Sequence, residues 1–158
     1  MIDQVKAKDR LAFLKRVTLK EIEHLNFAAL TVFERPFTIE IVRSLDENKA
    51  FAMDVEAFIS RFCRLQDTLG DKLLPALLKS LGEPEKALLI NLDKAEKYGW
   101  LASSDQWIAL RQLRNLMIHE YVEDPEVFLD ALTTAYKNLH VLKEFAESLL
   151  NQVDELTN

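Results

Sequence analysis

Four side chains with chemical capacity fall within one eight-residue run, Arg114-Asn115-Leu116-Met117-Ile118-His119-Glu120-Tyr121, and Arg111 precedes them by one helical turn. An arginine guanidinium is a planar fork matched to phosphate oxygens and keeps its charge at any physiological pH. An imidazole takes or gives a proton near neutrality. A phenol donates a hydrogen bond, and an asparagine amide fixes an imidazole tautomer or holds backbone at a helix end. These are the parts needed to cleave RNA without a metal. A ribose 2′-OH attacks the adjacent phosphorus, His119 handles the proton, and Arg114 stabilises the charge that builds on the phosphate. Asn115, Tyr121 and Arg111 are the supporting residues. No cluster of cysteines or carboxylates accompanies the run, so it calls for neither a metal nor another cofactor. A single imidazole is thin for separate acid and base roles, and two copies of the chain meeting at this run would supply both.

The element that must carry these residues is a helix. Ser103-Ser104-Asp105-Gln106 has the spacing of a capping box and opens a helix over about Ser104 to Tyr121. At about 100° per residue, Leu110, Leu113, Leu116 and Met117 form its core face. The opposite arc mixes Arg111, Arg114, Asn115, His119 and Tyr121 with Trp107, Ile108, Ile118 and Val122. Polar groups interleaved with large apolar ones describe a desolvated interface that holds a site, not a solvated surface. Within that arc Arg111, Asn115 and His119 line one edge, and Arg114 and Tyr121 the other.

The rest of the chain reads as helices around this one. Periodic apolar residues from Leu11 to Val32 predict a helix over Asp3 to Phe33, ended by Pro36. Phe37 to Ile41 alternates like a strand but has no partner strand, and is read as a short helix. Asp46 is an N-cap candidate for a helix from Glu47 to Leu69. Gly70 and Pro75 predict a kink or break, Gly82 closes that piece, and Pro84 opens the next helix, which Gly99 ends. Asp124-Pro125 starts a last helix to about Glu155, whose seam of Phe128, Leu132, Ala135, Leu139, Leu142, Ala146, Leu149 and Val153 keeps a strict four-three alternation. The fold class is therefore all-α: an antiparallel up-and-down helical bundle of about five to six helices in one domain over residues 1–158, homodimeric.

The run Arg114 to Tyr121 resembles the Arg-x4-His-x-Tyr motif of HEPN-superfamily ribonucleases, most closely the HepT-like toxins paired with a minimal nucleotidyltransferase antitoxin. The resemblance implies an all-helical dimer with the motif of both subunits around a shared cleft. It implies endoribonuclease activity carried by Arg114 and His119, with RNA as substrate. It also implies that Tyr121 is where the antitoxin attaches AMP, which silences the site. The first 45 or so residues exceed what a minimal member requires and are read as an N-terminal helical extension.

Composition bounds these readings. With 158 residues, 49% hydrophobic and 29% charged, the chain supports one globular core and is not disordered. A net charge of −6 argues against broad binding to a nucleic-acid backbone but leaves room for a local phosphate site. No apolar stretch is long enough to span a membrane, the N-terminus is polar and periodic rather than a signal peptide, and Cys63 is alone. A cytoplasmic protein without membrane contact is the expectation. His24 and His140 read as structural, Trp100 and Trp107 as packing residues. Arg61 and Arg64, with Asp54 before them, are either surface ion pairs or a border of the cleft. Two other functions fit the same run. One is a non-catalytic module that binds a nucleotide or a nucleotidyltransferase partner; the other is a helical scaffold with a polar dimer interface.

Overall fold

The computed structural model describes residues 2–158. Met1, the first residue of the N-terminal segment read above, lies outside them. Among the described residues every regular element is helical: α1 (Ile2–Phe33), α2 (Ile39–Arg43), α3 (Lys49–Asp67), a π-helical segment (Thr68–Leu73), α4 (Leu74–Ser80), α5 (Leu88–Lys97), α6 (Ser104–Glu123), α7 (Pro125–Lys137) and α8 (Leu139–Thr157). Because α3, the π-helical segment and α4 form one continuous rod, the described residues contain six rods and the five-residue α2.

Local chemistry sets most of the boundaries. The side chains of Asn48, Ser103 and Asp124 cap α3, α6 and α7 by accepting backbone N–H bonds from Phe51, Gln106, and Glu126 with Val127. Asn48 thus replaces Asp46 as the cap, and α3 starts two residues later than its sequence suggests. Gly82 (φ 83°) and Gly99 (φ 78°) end α4 and α5 in the left-handed region. Beyond each, the next N–H reaches back five residues, from Glu83 to Leu78 and from Trp100 to Ala95. Pro84 does not open α5. Residues 83–87 form no regular element, and Glu83 accepts instead from Lys94 of α5 and from Tyr98 just beyond its end.

Two further expectations fail at specific residues. Gly70 and Pro75 do not break the rod. Pro75 lacks the N–H that would bond four residues back, and its ring crowds that carbonyl. The widened π-turn just before it, with the Leu74 N–H bonded to the Leu69 carbonyl, takes up the mismatch. The long C-terminal helix, by contrast, is broken. Asn138 donates its side-chain amide to the Thr134 carbonyl (2.8 Å), takes φ −109° and ψ 17°, and separates α7 from α8. The seam survives the break, since all eight of its residues from Phe128 to Val153 are buried.

One apolar core runs through these helices. α1 lies against α3, α4 and α8, and brings Leu11, Leu14, Leu25, Ala28, Ala29 and Val32 into that core. Its inward face also carries polar groups. Glu21 is buried and accepts from Thr68 Oγ1 of the π-helical segment at 2.9 Å, while Glu21 Oε2 and Thr18 Oγ1 have no hydrogen-bond partner. None of the described helices is long and apolar enough to cross a membrane.

Candidate functional site

The helix α6 is held firmly at its start and loosely along the run that carries the chemistry. Ser104 is buried at its first turn, where its backbone N–H donates to Glu96 (2.7 Å) and its hydroxyl to Asp93 (2.8 Å) of α5. Both carboxylates also favour the positive end of the helix dipole. Trp107, 1% exposed, packs edge-on against Phe145 and beside Gly70, and its carbonyl accepts from the buried Gln66 side chain of α3. A Cβ on Gly70 would stand 3.3 Å from Trp107 Nε1, so the missing side chain is what lets α6 approach the rod so closely. Beyond Leu110, only Met117 of α6 is fully buried.

The inward face of α6 is therefore Trp107, Leu110, Met117 and the half-buried Tyr121, with Arg114 on the same line. This corrects the expected core face. Leu113 is half-buried, Leu116 is 39% exposed, and Trp107 belongs to the core rather than to the mixed arc. The reason is non-local: α3 and α7 approach α6 from the side of Arg114 and Tyr121.

Arg114 and Tyr121 line one groove of about 440 Å³ between α3 and α6. α3 contributes Glu56, Ser60, Cys63, Arg64 and Asp67 to its wall. Arg114 Nη1 donates to Asp67 Oδ2 at 2.8 Å, and that bond holds its guanidinium above its already high pKa. One turn earlier, Arg111 Nη2 donates to Asp71 Oδ2 at 3.4 Å. The Tyr121 ring packs edge-on against Phe128 of α7, and burial followed by the nearby Glu56 raises its pKa, so the phenol stays protonated and can donate. Cys63 has its thiol pushed up to about 11 by burial, which makes it a poor nucleophile.

His119 and Asn115 are elsewhere. Residues five apart on an α-helix differ by about 140° in direction, so Arg114 in the groove turns His119 toward the open side. There His119 and Asn115 are exposed and stand among Leu116 and Val122 (78% exposed), while Ile118 (51% exposed), one turn after Arg114, lines the groove's edge. The five predicted residues thus divide into a groove pair, Arg114 with Tyr121, and an open-face pair, His119 with Asn115, while Arg111 is tied to Asp71 beside the groove. Among the described residues no group of three His, Cys, Asp or Glu side chains is arranged to hold a metal ion.

No protein-family model, curated protein or solved structure matches the chain.

Arg64 lines the groove, whereas Arg61 and Asp54 line a second groove between α1 and α3 together with His24. Asp67 and Asp71 were not singled out by the sequence. Their spacing of four opposite two arginines spaced by three is the signal that pairs them, but it emerges only once the π-helical segment lies beside α6. His140 is exposed at the start of α8, with its Nδ1 3.2 Å from the Lys137 carbonyl.

Proposed function

We propose that the chain is a metal-independent endoribonuclease toxin of the HEPN type, working as a homodimer of antiparallel up-and-down helical bundles. The observation that carries this reading is the division of the motif. Arg114 and Tyr121 line a groove, while His119 and Asn115 stand on an adjacent open face among exposed Leu116 and Val122, with the exposed Ile118 at the border between the two. A face that mixes an imidazole with uncovered apolar side chains is suited to a second copy of itself, and two-fold pairing brings two histidines and two arginines to one cleft.

In that cleft the ribose 2′-oxygen attacks phosphorus as one His119 removes its proton. The new 2′-O–P bond forms as the P–O5′ bond breaks, and the His119 of the other subunit gives a proton to the departing 5′-oxygen. Arg114 stabilises the equatorial oxygens. A 2′,3′-cyclic phosphate and a 5′-hydroxyl result. Silencing by a minimal nucleotidyltransferase antitoxin proceeds by attack of the Tyr121 phenol oxygen on the α-phosphorus of ATP, with pyrophosphate leaving and the phenol proton passing to solvent. The added AMP would fill the groove that Arg114 lines.

Purified protein is incubated with end-labelled RNA in excess EDTA. Cleavage is expected for the native chain, with a loss of about 10²- to 10⁴-fold in His119→Ala and a comparable loss in Arg114→Ala. A folded dimer that cuts no RNA overturns the reading. The alternative of a non-catalytic nucleotide- or partner-binding module is favoured by one observation, that Arg111 and Arg114 already have carboxylate partners. It predicts ATP binding by calorimetry without turnover of any RNA.

A further inference from the structure

The groove between α3 and α6 is electrically balanced. Of the charged side chains that line it, Arg64 and Arg114 are positive and Glu56 and Asp67 negative. Asp67 sits directly on Arg114, and Asp71 on Arg111 one turn along. The two pairs form rungs between α6 and the rod at the point where α3 passes into the π-helical segment. A carboxylate 2.8 Å from a guanidinium cancels most of its attraction for a second anion. As folded, then, the groove offers a phosphate only one cation that no carboxylate bonds. That cation is Arg64, which makes no salt bridge with any described residue and lies one turn before Asp67.

Both rungs remain open to exchange. Their side chains are a third to nearly half exposed, and only one nitrogen of Arg114 is engaged by Asp67. Exposed pairs of this kind contribute little and trade partners readily. The anchor of α6 on the rod lies elsewhere, at Gly70, Trp107 and Gln66, so releasing a rung does not release the helix.

Resting on the ribonuclease reading above, we propose that Asp67 and Asp71 are built-in counter-ions that mask Arg114 and Arg111, and that Arg64 first captures an RNA phosphodiester, which then displaces Asp67 from Arg114. The masked groove discriminates against weak single anions. A polyanion that engages Arg64 gains the local concentration needed to compete with the carboxylate.

The test is a fluorescence-anisotropy titration of full-length protein against a short single-stranded RNA. Its 2′-oxygens are all methylated, so binding is measured without cleavage. Asp67→Asn retains a hydrogen-bond acceptor for Arg114 but removes the charge. It is expected to tighten binding about two- to five-fold, the range an exposed ion pair spans, and Asp71→Asn is expected to act in the same direction. Arg64→Ala weakens binding by a similar factor and reduces the salt dependence by about 0.7 in log–log slope, as one phosphate contact fewer requires. Unchanged or weaker binding in both Asp→Asn variants overturns the proposal, as does an absence of binding in every protein. The two readings separate cleanly. Tightened binding with no cleavage of unmodified RNA overturns the ribonuclease and leaves the counter-ions standing, whereas cleavage without tightened binding does the reverse.

Discussion

A single buried carboxyl shows how a residue far from the groove constrains the molecule. Glu21 is buried on α1 with one oxygen bonded to Thr68 and the other unpartnered, and burial raises its pKa above 4.5 despite Thr68 and the facing Arg64, Lys72 and Arg61. A carboxyl whose folded pKa is raised binds more protons folded than unfolded. Its contribution to stability is therefore fully present below the unfolded value and is lost as pH rises through the folded one. Glu21→Gln keeps an acceptor for Thr68 and removes the ionisation. Thermal unfolding of both proteins should show the variant melting higher at pH 8, with the advantage shrinking steadily toward pH 4. An advantage that does not depend on pH would sink this account. Nothing in the sequence singles out Glu21, because helical periodicity places a charged residue on the inward face of α1 without saying what meets it there. The residues of the Arg114–Tyr121 run were legible as types. Their partners Asp67 and Asp71 were not, since each lies at least 40 positions away in the chain.

At the level of elements, what was legible is what is local. Ser103, Asp124, Gly82 and Gly99 act through hydrogen bonds within six residues of themselves, and the helix ends they mark stand where the sequence puts them. What depended on a neighbouring helix was misread. The face α6 turns inward is chosen by α3 and α7, and the π-helical segment carries Gly70, against which Trp107 packs, and runs up to Pro75 in the same rod. Gly70→Ala tests that last point. In an open helix alanine would gain about 1 kcal/mol over glycine. Here its Cβ would stand 3.3 Å from Trp107 Nε1 and 3.4 Å from Leu88 Cδ1, and Trp107 is wedged in the core with nowhere to retreat. Urea denaturation should therefore show a net loss of up to about 2 kcal/mol, the usual 1–3 kcal/mol cost of overpacking less the helical gain. A stabilised Gly70→Ala protein would mean that α6 is free to shift, and with it the groove.

For the molecule as a whole, the unequal support along α6 separates stability from assembly. Its first half is locked to α5, α3 and the core, whereas its second half presents Ile118 and Val122 to solvent beside His119. Apolar side chains 51% and 78% exposed contribute almost nothing to the fold of one chain. If they are the contact of a two-fold pair, they carry the energy of association and bring the two histidines together. The double variant Ile118→Glu, Val122→Glu should then keep the unfolding free energy of the isolated chain within about 0.5 kcal/mol per site, while the pair dissociates. Four carboxylates facing each other across the two-fold axis would oppose reassociation even at high protein concentration. Sedimentation velocity should show a monomer, and cleavage should fall as far as it does in His119→Ala; because Ile118 also lines the groove, the single variant Val122→Glu, outside it, should shift both in the same direction. A variant that stays dimeric and active would remove this face from the interface. The division of the motif would then need another explanation, since one imidazole on an open helix face cannot serve as both acid and base.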